Sequence, residues 1–214
     1  MPNKDSSWLK PRLPVLDAFR SGIGGVIRLA AGKHKSKMHA LETERLRLRA
    51  FDESDLKDIV VWEDFSRSEH PDERAREFLD YCHREYRERG IGPWGMEMKE
   101  TKAMIGNCGF PHIRKHCGEV NCYVSLRYRR CGLAQEALRA LFEFGFQEIG
   151  LNRIQARSEL TNIGSQRLAE KAGMRLEGYI EDAHSAKGAK SRQKMYVIFR
   201  REFSLAPGDA PAAR

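Results

Sequence analysis

The segment RYRRCGLA, residues 127–134, combines positive charge and backbone freedom where a helical pattern begins. Gly132 permits unusual dihedral angles and close approach of a ligand to the backbone, and Ala134 keeps the first helical turn narrow. The first N–H groups of a helix have no partners inside the helix and lie at the positive end of its dipole. The segment therefore predicts an anion site, most often one for phosphate, to which Arg129 and Arg130 can add hydrogen bonds.

Two common nucleotide-binding loops do not fit this segment. A P-loop ends in Gly-Lys-Ser/Thr, which the chain does not contain. The dinucleotide-binding fingerprint needs three glycines after a strand, whereas here Gly132 is the one glycine between strand and helix. On the residues alone, the segment is either a phosphate-binding loop of another kind or a surface loop with solvated arginines.

The elements that would position this loop follow from the spacing of apolar residues. Alternation with a period of two predicts strands, and recurrence at i, i+3 and i+4 predicts amphipathic helices. The predicted strands cover 46–50, 94–100, 104–110, 119–126, 152–160, 174–180 and 194–203, and the predicted helices cover 53–62, 71–89, 134–149 and 161–173. The strands before residue 127 are expected to form an antiparallel meander around a β-hairpin. From Glu119 onward, the predicted order is strand, helix, strand, helix, strand, strand.

Length and charge distribution predict one domain with basic ends. A chain of 214 residues with 41% hydrophobic residues can bury one core, which we place over 41–203. Of the net charge of +8, residues 1–40 carry +6 and residues 187–214 carry +5, which leaves the middle at −3. Residues 1–40 are predicted to be a basic, flexible extension and 204–214 a flexible tail. Because the positive charge lies in the ends, a nucleic-acid-binding domain is not favoured.

The cysteine pattern favours a reducing compartment, with the cytoplasm as the simplest location, and the hydropathy pattern concerns membrane spans. The five cysteines show no paired spacing and predict no disulfide framework. No segment reaches ~18 consecutive apolar residues, so no membrane span is expected. His112, His116, Cys117 and Cys122 lie close in sequence but match no usual zinc spacing, so no metal site is predicted.

In its context, RYRRCGLA resembles the Arg/Gln-x-x-Gly-x-Gly/Ala signature of the GNAT superfamily of acyl-CoA-dependent N-acyltransferases. Arg129, Gly132 and Ala134 occupy the three defining positions. The stretch from GEVNCYVSL to GYIED, residues 118–182, is similar to the core of the ribosomal-protein N-terminal (Rim-type) acetyltransferase branch. LETERLRLRAF and GPWGMEMKETKAMIGNCGF resemble the first strand and the central hairpin of that branch, so the resemblance covers about 41–203.

The resemblance implies an α/β (α+β) fold with a mixed, mostly antiparallel sheet flanked by helices. Two parallel strands would splay apart and admit acetyl-CoA as co-substrate. Its pyrophosphate would bind backbone N–H groups after Arg129, and its pantetheine arm would pair with the strand edge before the loop. The implied cofactor-binding residues are Tyr123, Val124, Ser125, Arg129, Arg130, Cys131, Gly132, Leu133, Ala134 and Asn162.

Three residues are candidates for the chemistry that the resemblance implies. Glu119 begins the strand before the loop, where the superfamily often has a catalytic carboxylate; the alternative is a solvated glutamate. Ser165, in the family's Asn-x-x-Ser stretch, is a candidate proton donor near the sulfur, or a small packing residue. His184 follows LEG near the place where certain Rim-type enzymes use a glutamate, and a loop histidine is the alternative. Where many members have a tyrosine acid, this chain has Ala169.

The expected activity is direct transfer of acetyl from acetyl-CoA to a primary amine, either a protein N-terminus or a small molecule. The basic segment KSRQKMY before the last strand favours an acidic or neutral acceptor. A non-catalytic acyl-CoA-binding module of the same fold is the alternative, because Ala169 replaces the family tyrosine. The oligomeric state is left open by the sequence, and a homodimer is one candidate.

Overall fold

The computed structural model describes residues 38–184 and 190–203, with the backbone alone at 182–184 and 190–191. The predicted extension before residue 38 and the predicted tail after residue 203 lie outside the described residues. Met38 packs against the core, and the indole N–H of Trp94 donates to the His39 carbonyl at 3.0 Å. The fold therefore includes residues just before the predicted boundary at residue 41.

One sheet in the described chain organises the molecule. Its strands are β1 (Leu41–Glu42), β2 (Leu46–Arg49), β3 (Trp94–Met98), β4 (Met104–Arg114), β5 (Cys117–Val124), β6 (Arg153–Glu159), β7 (Arg175–His184) and β8 (Lys190–Phe199). Their spatial order is β1-β2-β3-β4-β5-β6-β8-β7. All neighbours are antiparallel except β5 and β6, which are parallel. The predicted meander and the mixed, mostly antiparallel sheet are confirmed.

Helices of very different length flank the sheet. They are α1 (Leu56–Ile59), α2 (Glu63–Ser66), α3 (Pro71–Arg89), α4 (Leu133–Gln147), α5 (Ile163–Lys171) and α6 (Arg200–Phe203). The prediction for α3 is confirmed at both ends, because Pro71 occupies its first turn and Gly90 closes it with φ 73°. The long helices α3 and α4 carry the apolar stripes that cover the two faces of the sheet.

Two sequence predictions at element ends were wrong. The helix predicted over 53–62 is a 3-10 turn capped by Asp52, followed by α1 and, after a break, α2. The break occurs because Trp62 is extended (φ −65°, ψ 145°), which buries its indole and lets its N–H donate to the Met104 carbonyl at 3.0 Å. The last strand ends at Phe199 rather than at 203, because Glu202 turns back to accept from the Phe199 N–H at 2.9 Å.

The core consists of two clusters on opposite faces of the sheet. Val120 and Val124 of β5 pack in the cluster that contains α4, whereas Tyr123 packs against the cluster formed with α1–α3. Trp62 and Trp94 are fully buried in these clusters. We call the side of the sheet that faces α1–α3 the α3 face.

Candidate functional site

The predicted anion site lies between a 3-10 turn at Leu126–Tyr128 and the start of α4. Arg130 (φ 64°) and Gly132 (φ 80°) both adopt the left-handed backbone region, which is unfavourable for arginine and easy for glycine. No side chain caps α4, and its first helical bond runs from the Glu136 N–H to the Gly132 carbonyl at 3.0 Å. The N–H groups of the first turn therefore have no helical partners and can bind an anion.

Arg45, which precedes β2 and lies outside the RYRRCGLA segment, stabilises this loop. Its Nη1 donates to the Cys131 carbonyl at 2.9 Å, and its Nε donates to Glu136 of α4 at 2.7 Å. Glu136 also accepts from the Arg45 backbone N–H (2.7 Å) and the Thr43 hydroxyl (2.5 Å). Partial burial raises the pKa of Glu136, but these hydrogen bonds outweigh burial and hold it below its ordinary value. The N-terminal strand region thus fixes the first turn of α4.

Arg129 turns away from the start of α4. Its Nε donates to the Val124 carbonyl at 2.6 Å, and its guanidinium lies 5.7 Å from the centre of the Tyr123 ring. The side chain therefore occupies the end of β5, where the pantetheine arm is expected, rather than the predicted phosphate position. Its role toward the cofactor stays a prediction.

The parallel strands β5 and β6 separate within their own length. They pair at three positions, from Cys117 with Arg153 to Glu119 with Gln155, and nowhere beyond within the described residues. Past this point β5 stays paired with β4 up to Val124, and β6 stays paired with β8 up to Glu159. An opening with two unpaired strand edges therefore leads directly to the loop and to α4.

Backbone groups on β5 alternate between β4 and this opening. Ser125 N–H donates to the Ile105 carbonyl at 2.9 Å, and the Tyr123 carbonyl lies above Gly106 of β4. The backbone groups of Val124 must then face the opening, which agrees with the bond from Arg129 to its carbonyl. Of the three residues predicted to pair with the cofactor arm, Val124 is the best placed by its backbone.

Glu63, at the start of α2, is a site residue that sequence reasoning missed. Its carboxylate accepts from the hydroxyls of Tyr123 (2.8 Å) and Ser125 (3.2 Å) and from the Leu126 N–H (2.9 Å). Partial burial raises the pKa of Glu63, but hydrogen bonds from its own backbone and from these groups hold it below its ordinary value. Burial, and then the bond to Glu63, raise the pKa of Tyr123, so its phenol stays protonated. A carboxylate 60 residues away leaves no local signal in the sequence.

Glu119 and Arg157 bridge the base of the opening. Glu119 is the last β5 residue paired with β6, and its Oε1 accepts from Nε (2.9 Å) and Nη2 (2.6 Å) of Arg157. Both hydrogen bonds from Arg157 reach the same oxygen, Oε1. The carboxylate is therefore anchored through that oxygen.

The other predicted site residues lie on the far side of the opening or beyond it. Asn162 caps α5, with its Oδ1 accepting from the Ser165 N–H at 3.1 Å, so its structural role is established while its cofactor contact stays a prediction. Ser165 is half-buried in the first turn of α5. The structure places the backbone of His184 at the end of β7, paired with Lys190, but its side chain lies outside the described atoms.

Neighbouring residues named from the sequence have structural roles. Ala169 is buried on α5, so no acid occupies that position. Tyr196 is fully buried and donates to Glu170 at 3.2 Å, so it belongs to the core. The last strand begins at Lys190 rather than at 194, so the basic segment expected before it lies within β8. There Arg192 pairs with Glu181 (2.6 Å) and Lys194 donates to Gln166 (2.8 Å). Their charges are partly engaged within the protein.

The described residues contain no group of three or more His, Cys, Asp and Glu side chains that could hold a metal ion. All five cysteines are free thiols. No helix in residues 38–184 or 190–203 has the length and apolar character needed to cross a membrane.

Comparison with known proteins assigns this architecture to a family. The acetyltransferase (GNAT) domain family matches residues 45–175. A Bacillus licheniformis protein named uncharacterized N-acetyltransferase p20 is 29% identical over 178 residues, which are 78% of this chain and 99% of that protein. A GNAT-family acetyltransferase from Bacillus anthracis superposes with a TM-score of 0.66 at 25% identity, over 77% of this chain and 100% of that one. The ribosomal-protein-S5-alanine acetyltransferase from Vibrio fischeri shares the fold, with a TM-score of 0.64 at 18% identity. The superposition covers 77% of this chain and 98% of that one.

The mixed sheet with its separated parallel strands is the fold of the acetyltransferases to which the chain is similar. The chain belongs to the GNAT acetyltransferase family, a family that uses acetyl-CoA. The predicted resemblance to the GNAT superfamily is confirmed, and the protein is an N-acetyltransferase enzyme. The ribosomal-protein acetyltransferases among the solved structures share its fold.

Proposed function

We propose that this protein transfers acetyl directly from acetyl-CoA to a primary amine while both substrates are bound. The observation that supports this best is the opening between β5 and β6, which leads into the uncapped start of α4. An opening with unpaired strand edges suits an amide-bearing arm, and a helix start with unpaired N–H groups suits a diphosphate. The two features follow each other along the chain in the order that one extended cofactor requires.

The phosphate part of this site is formed by backbone rather than by side chains. Gly132, with φ 80°, turns the chain into α4 and has no side chain to block approach to the first-turn N–H groups. Arg45 holds the Cys131 carbonyl and Glu136, so the loop conformation is fixed before any ligand binds. A site built in advance binds its ligand with less loss of conformational entropy.

The acceptor amine must be neutral when it attacks, and Glu119 is the residue we assign to that task. Acetyl-CoA supplies the acetyl group as a thioester. An α-amino group has an ordinary pKa of about 7.7–8.0 and a lysine one of about 10.4, so near neutral pH the α-amino group needs less help. Arg157 anchors Oε1 of Glu119, and Oε2 can take a proton directly or through water.

Protonation of the departing thiolate is assigned to Ser165, with His184 as the second candidate. Ser165 lies in the first turn of α5, which follows β6 across the opening from β5. His184 is at the end of β7. The assignment of Ser165 rests on this position and on the family resemblance.

Direct transfer without an acyl-enzyme fits the cysteines that neighbour the site. Cys122, on β5, has its pKa raised to about 12 by burial, so it stays a thiol at neutral pH. Cys108, directly opposite on β4, is fully buried, and burial raises its pKa well above the ordinary value. Neither supplies the thiolate that a covalent intermediate would need.

The test follows release of free CoA from acetyl-CoA while the full chain is offered peptides with varied N-terminal residues, polyamines and aminoglycosides. The proposal predicts turnover with at least one amine class, together with protection against thermal unfolding by acetyl-CoA alone. Absence of that protection would contradict the cofactor assignment. Protection without turnover across the whole panel would favour the non-catalytic binding module.

A further inference from the structure

Gln166 on α5 is a buried polar residue whose side-chain amide is hydrogen-bonded at both ends. The residue is 5% exposed. Its Nε2 donates to the carbonyls of Glu159 (3.0 Å) and Leu160 (2.9 Å), and its Oε1 accepts from Nζ of Lys194 on β8 at 2.8 Å. Because both N–H groups and the oxygen of the amide have partners, the amide is buried without the cost of unmade hydrogen bonds.

These bonds hold the β6–α5 turn, residues 160–162, from beneath. The Asn162 N–H donates to the Glu159 carbonyl at 3.0 Å, and the Asn162 carbonyl accepts from the Gln166 N–H at 3.2 Å. The hydroxyl of Ser158, which is also buried, donates to the same Asn162 carbonyl at 3.3 Å. A buried polar network whose members are bonded to one another fixes a single conformation. The backbone of the β6–α5 turn is therefore rigidly placed.

The β6–α5 turn forms the far end of the opening between β5 and β6. Past Gln155, β6 continues without β5 and stays paired with β8 as far as Glu159, where the turn begins. The turn carries Asn162, the residue on this side that is expected to contact the cofactor arm. Oδ1 of Asn162 accepts from the Ser165 N–H at 3.1 Å, which fixes the amide and with it the direction of the Nδ2 donor. A shift of the turn would move that donor.

Lys194 makes the residue type at position 166 specific. It lies directly opposite Ser158 in the pairing of β6 with β8, and its ammonium group supplies donors alone. The two carbonyls on the other side of Gln166 supply acceptors alone. An amide satisfies both sides, whereas a carboxylate would face two carbonyl oxygens and an apolar side chain would bond to neither side.

A second hydrogen bond between α5 and β8 does not involve the turn. The hydroxyl of Tyr196, two residues after Lys194 on β8, donates to Glu170 at 3.2 Å. Glu170 lies in the last turn of α5, at the end opposite Asn162. This bond attaches the helix to the strand in a similar way, so its loss separates attachment of α5 from placement of the turn.

We propose that Gln166, held by Lys194, is a positioning residue that places Asn162 against the amide-bearing arm of acetyl-CoA. The role rests on the proposed function, because it concerns the cofactor of the same reaction. Gln166 acts through Asn162 and touches no reacting atom. It therefore contributes to cofactor affinity only while Asn162 is present.

The test is a double-mutant cycle on the full chain. The Kd of acetyl-CoA is measured by calorimetric titration in wild type, Gln166→Met, Asn162→Ala and the double variant. KM for acetyl-CoA and kcat come from CoA release with an amine that the acceptor panel identifies. Methionine has nearly the length of glutamine and removes the amide. Tyr196→Phe, which removes only the hydroxyl bonded to Glu170, is the matched control.

Gln166→Met is expected to raise the Kd and KM of acetyl-CoA by about fivefold and to change kcat by less than about twofold. In the Asn162→Ala background the same substitution should change the Kd by less than about twofold, because the contact that it positions is already absent. Tyr196→Phe should lower the thermal midpoint and leave the Kd within about twofold of wild type. Should Gln166→Met fail to fold, Lys194→Met, at a half-buried position, completes the same cycle.

An equal loss of affinity with and without Asn162, or no loss in either background, would overturn the inference and leave the proposed function intact. A loss in Tyr196→Phe as large as that in Gln166→Met would also overturn it, since attachment of α5 alone would then explain both. Absence of acetyl-CoA binding in wild type would overturn the proposed function, and the inference with it.

Discussion

Arg157 on β6 donates two hydrogen bonds to one carboxylate oxygen of Glu119 on β5, at 2.6 and 2.9 Å. Glu119 is also the last residue at which the two strands pair, so this ion pair marks the point where they separate. The arrangement holds the carboxylate in place through one of its oxygens. The residue at which the two strands separate is therefore also the residue proposed to take the proton of the amine.

Replacement of Glu119 by glutamine should lower kcat by about 10²-fold and leave acetyl-CoA affinity unchanged, because glutamine cannot take the proton of the amine. CoA release gives kcat, and calorimetric titration gives the affinity. Glu143→Gln, at an exposed glutamate of α4, is the control and should retain full activity. If affinity falls by the same factor as kcat, Glu119 supports the strand opening rather than proton transfer.

Gly132→Ala should weaken acetyl-CoA binding by about tenfold, because the new methyl group crowds the phosphate-binding backbone. Gly150→Ala is a matched control, since Gly150 has nearly the same φ (79° against 80°) and, in the described part of the chain, an added Cβ would meet nothing within 4 Å beyond its chain neighbours. Both variants should lose about 1 kcal/mol of unfolding free energy from the left-handed backbone. Equal cofactor affinity in the two variants, measured by titration, would place the phosphates elsewhere.

Local elements of this fold were predictable because their signals lie in adjacent residues. Pro71, the apolar spacing that follows and Gly90 define α3, and Asn162 defines the start of α5. The helix predicted over 53–62 was wrong because Trp62 is extended so that its indole can reach the core, which is a tertiary effect.

Asn162→Asp separates the capping role of Asn162 from its proposed contact with the cofactor. Aspartate keeps the acceptor oxygen for the Ser165 N–H, so the thermal midpoint should stay within about 2 °C of wild type. It removes the Nδ2 donor and adds negative charge, so acetyl-CoA affinity should fall about fivefold or more. Asn162→Ala should lose stability as well, by about 1 kcal/mol. Unchanged affinity in Asn162→Asp would limit this residue to capping.

Glu136→Gln should reveal a pH-dependent contribution of the loop brace to stability. The pKa of Glu136 is lowered in the folded protein by bonds from Thr43 and Arg45 that outweigh burial. Its ionised form therefore stabilises the fold above the ordinary pKa of about 4.3, and this contribution disappears as the pH falls through the lower folded value. The wild-type midpoint should exceed that of the variant by several degrees near pH 7, and the gap should close as the pH falls below the ordinary pKa of the carboxyl group. A gap that is constant with pH would contradict this role of the carboxylate.

The pairs that organise the site could not be read from the sequence because they join distant segments. Arg45 meets Glu136 across 91 residues, Tyr123 meets Glu63 across 60, and Arg157 meets Glu119 across 38. Backbone chemistry at Gly132 was predictable because glycine type and helix pattern are local. Side-chain partners depend on the sheet order, which composition and periodicity do not specify.

The most direct measurement of the central claim is simultaneous quantification of CoA release and of the acetylated acceptor by mass spectrometry, with the full chain, acetyl-CoA and a peptide panel. Direct acetyl transfer predicts one acetylated amine for each CoA released, at a rate that Gly132→Ala reduces at low acetyl-CoA and Gly150→Ala does not. Acetyl-CoA binding with no acetylated product from peptides, polyamines or aminoglycosides would contradict it.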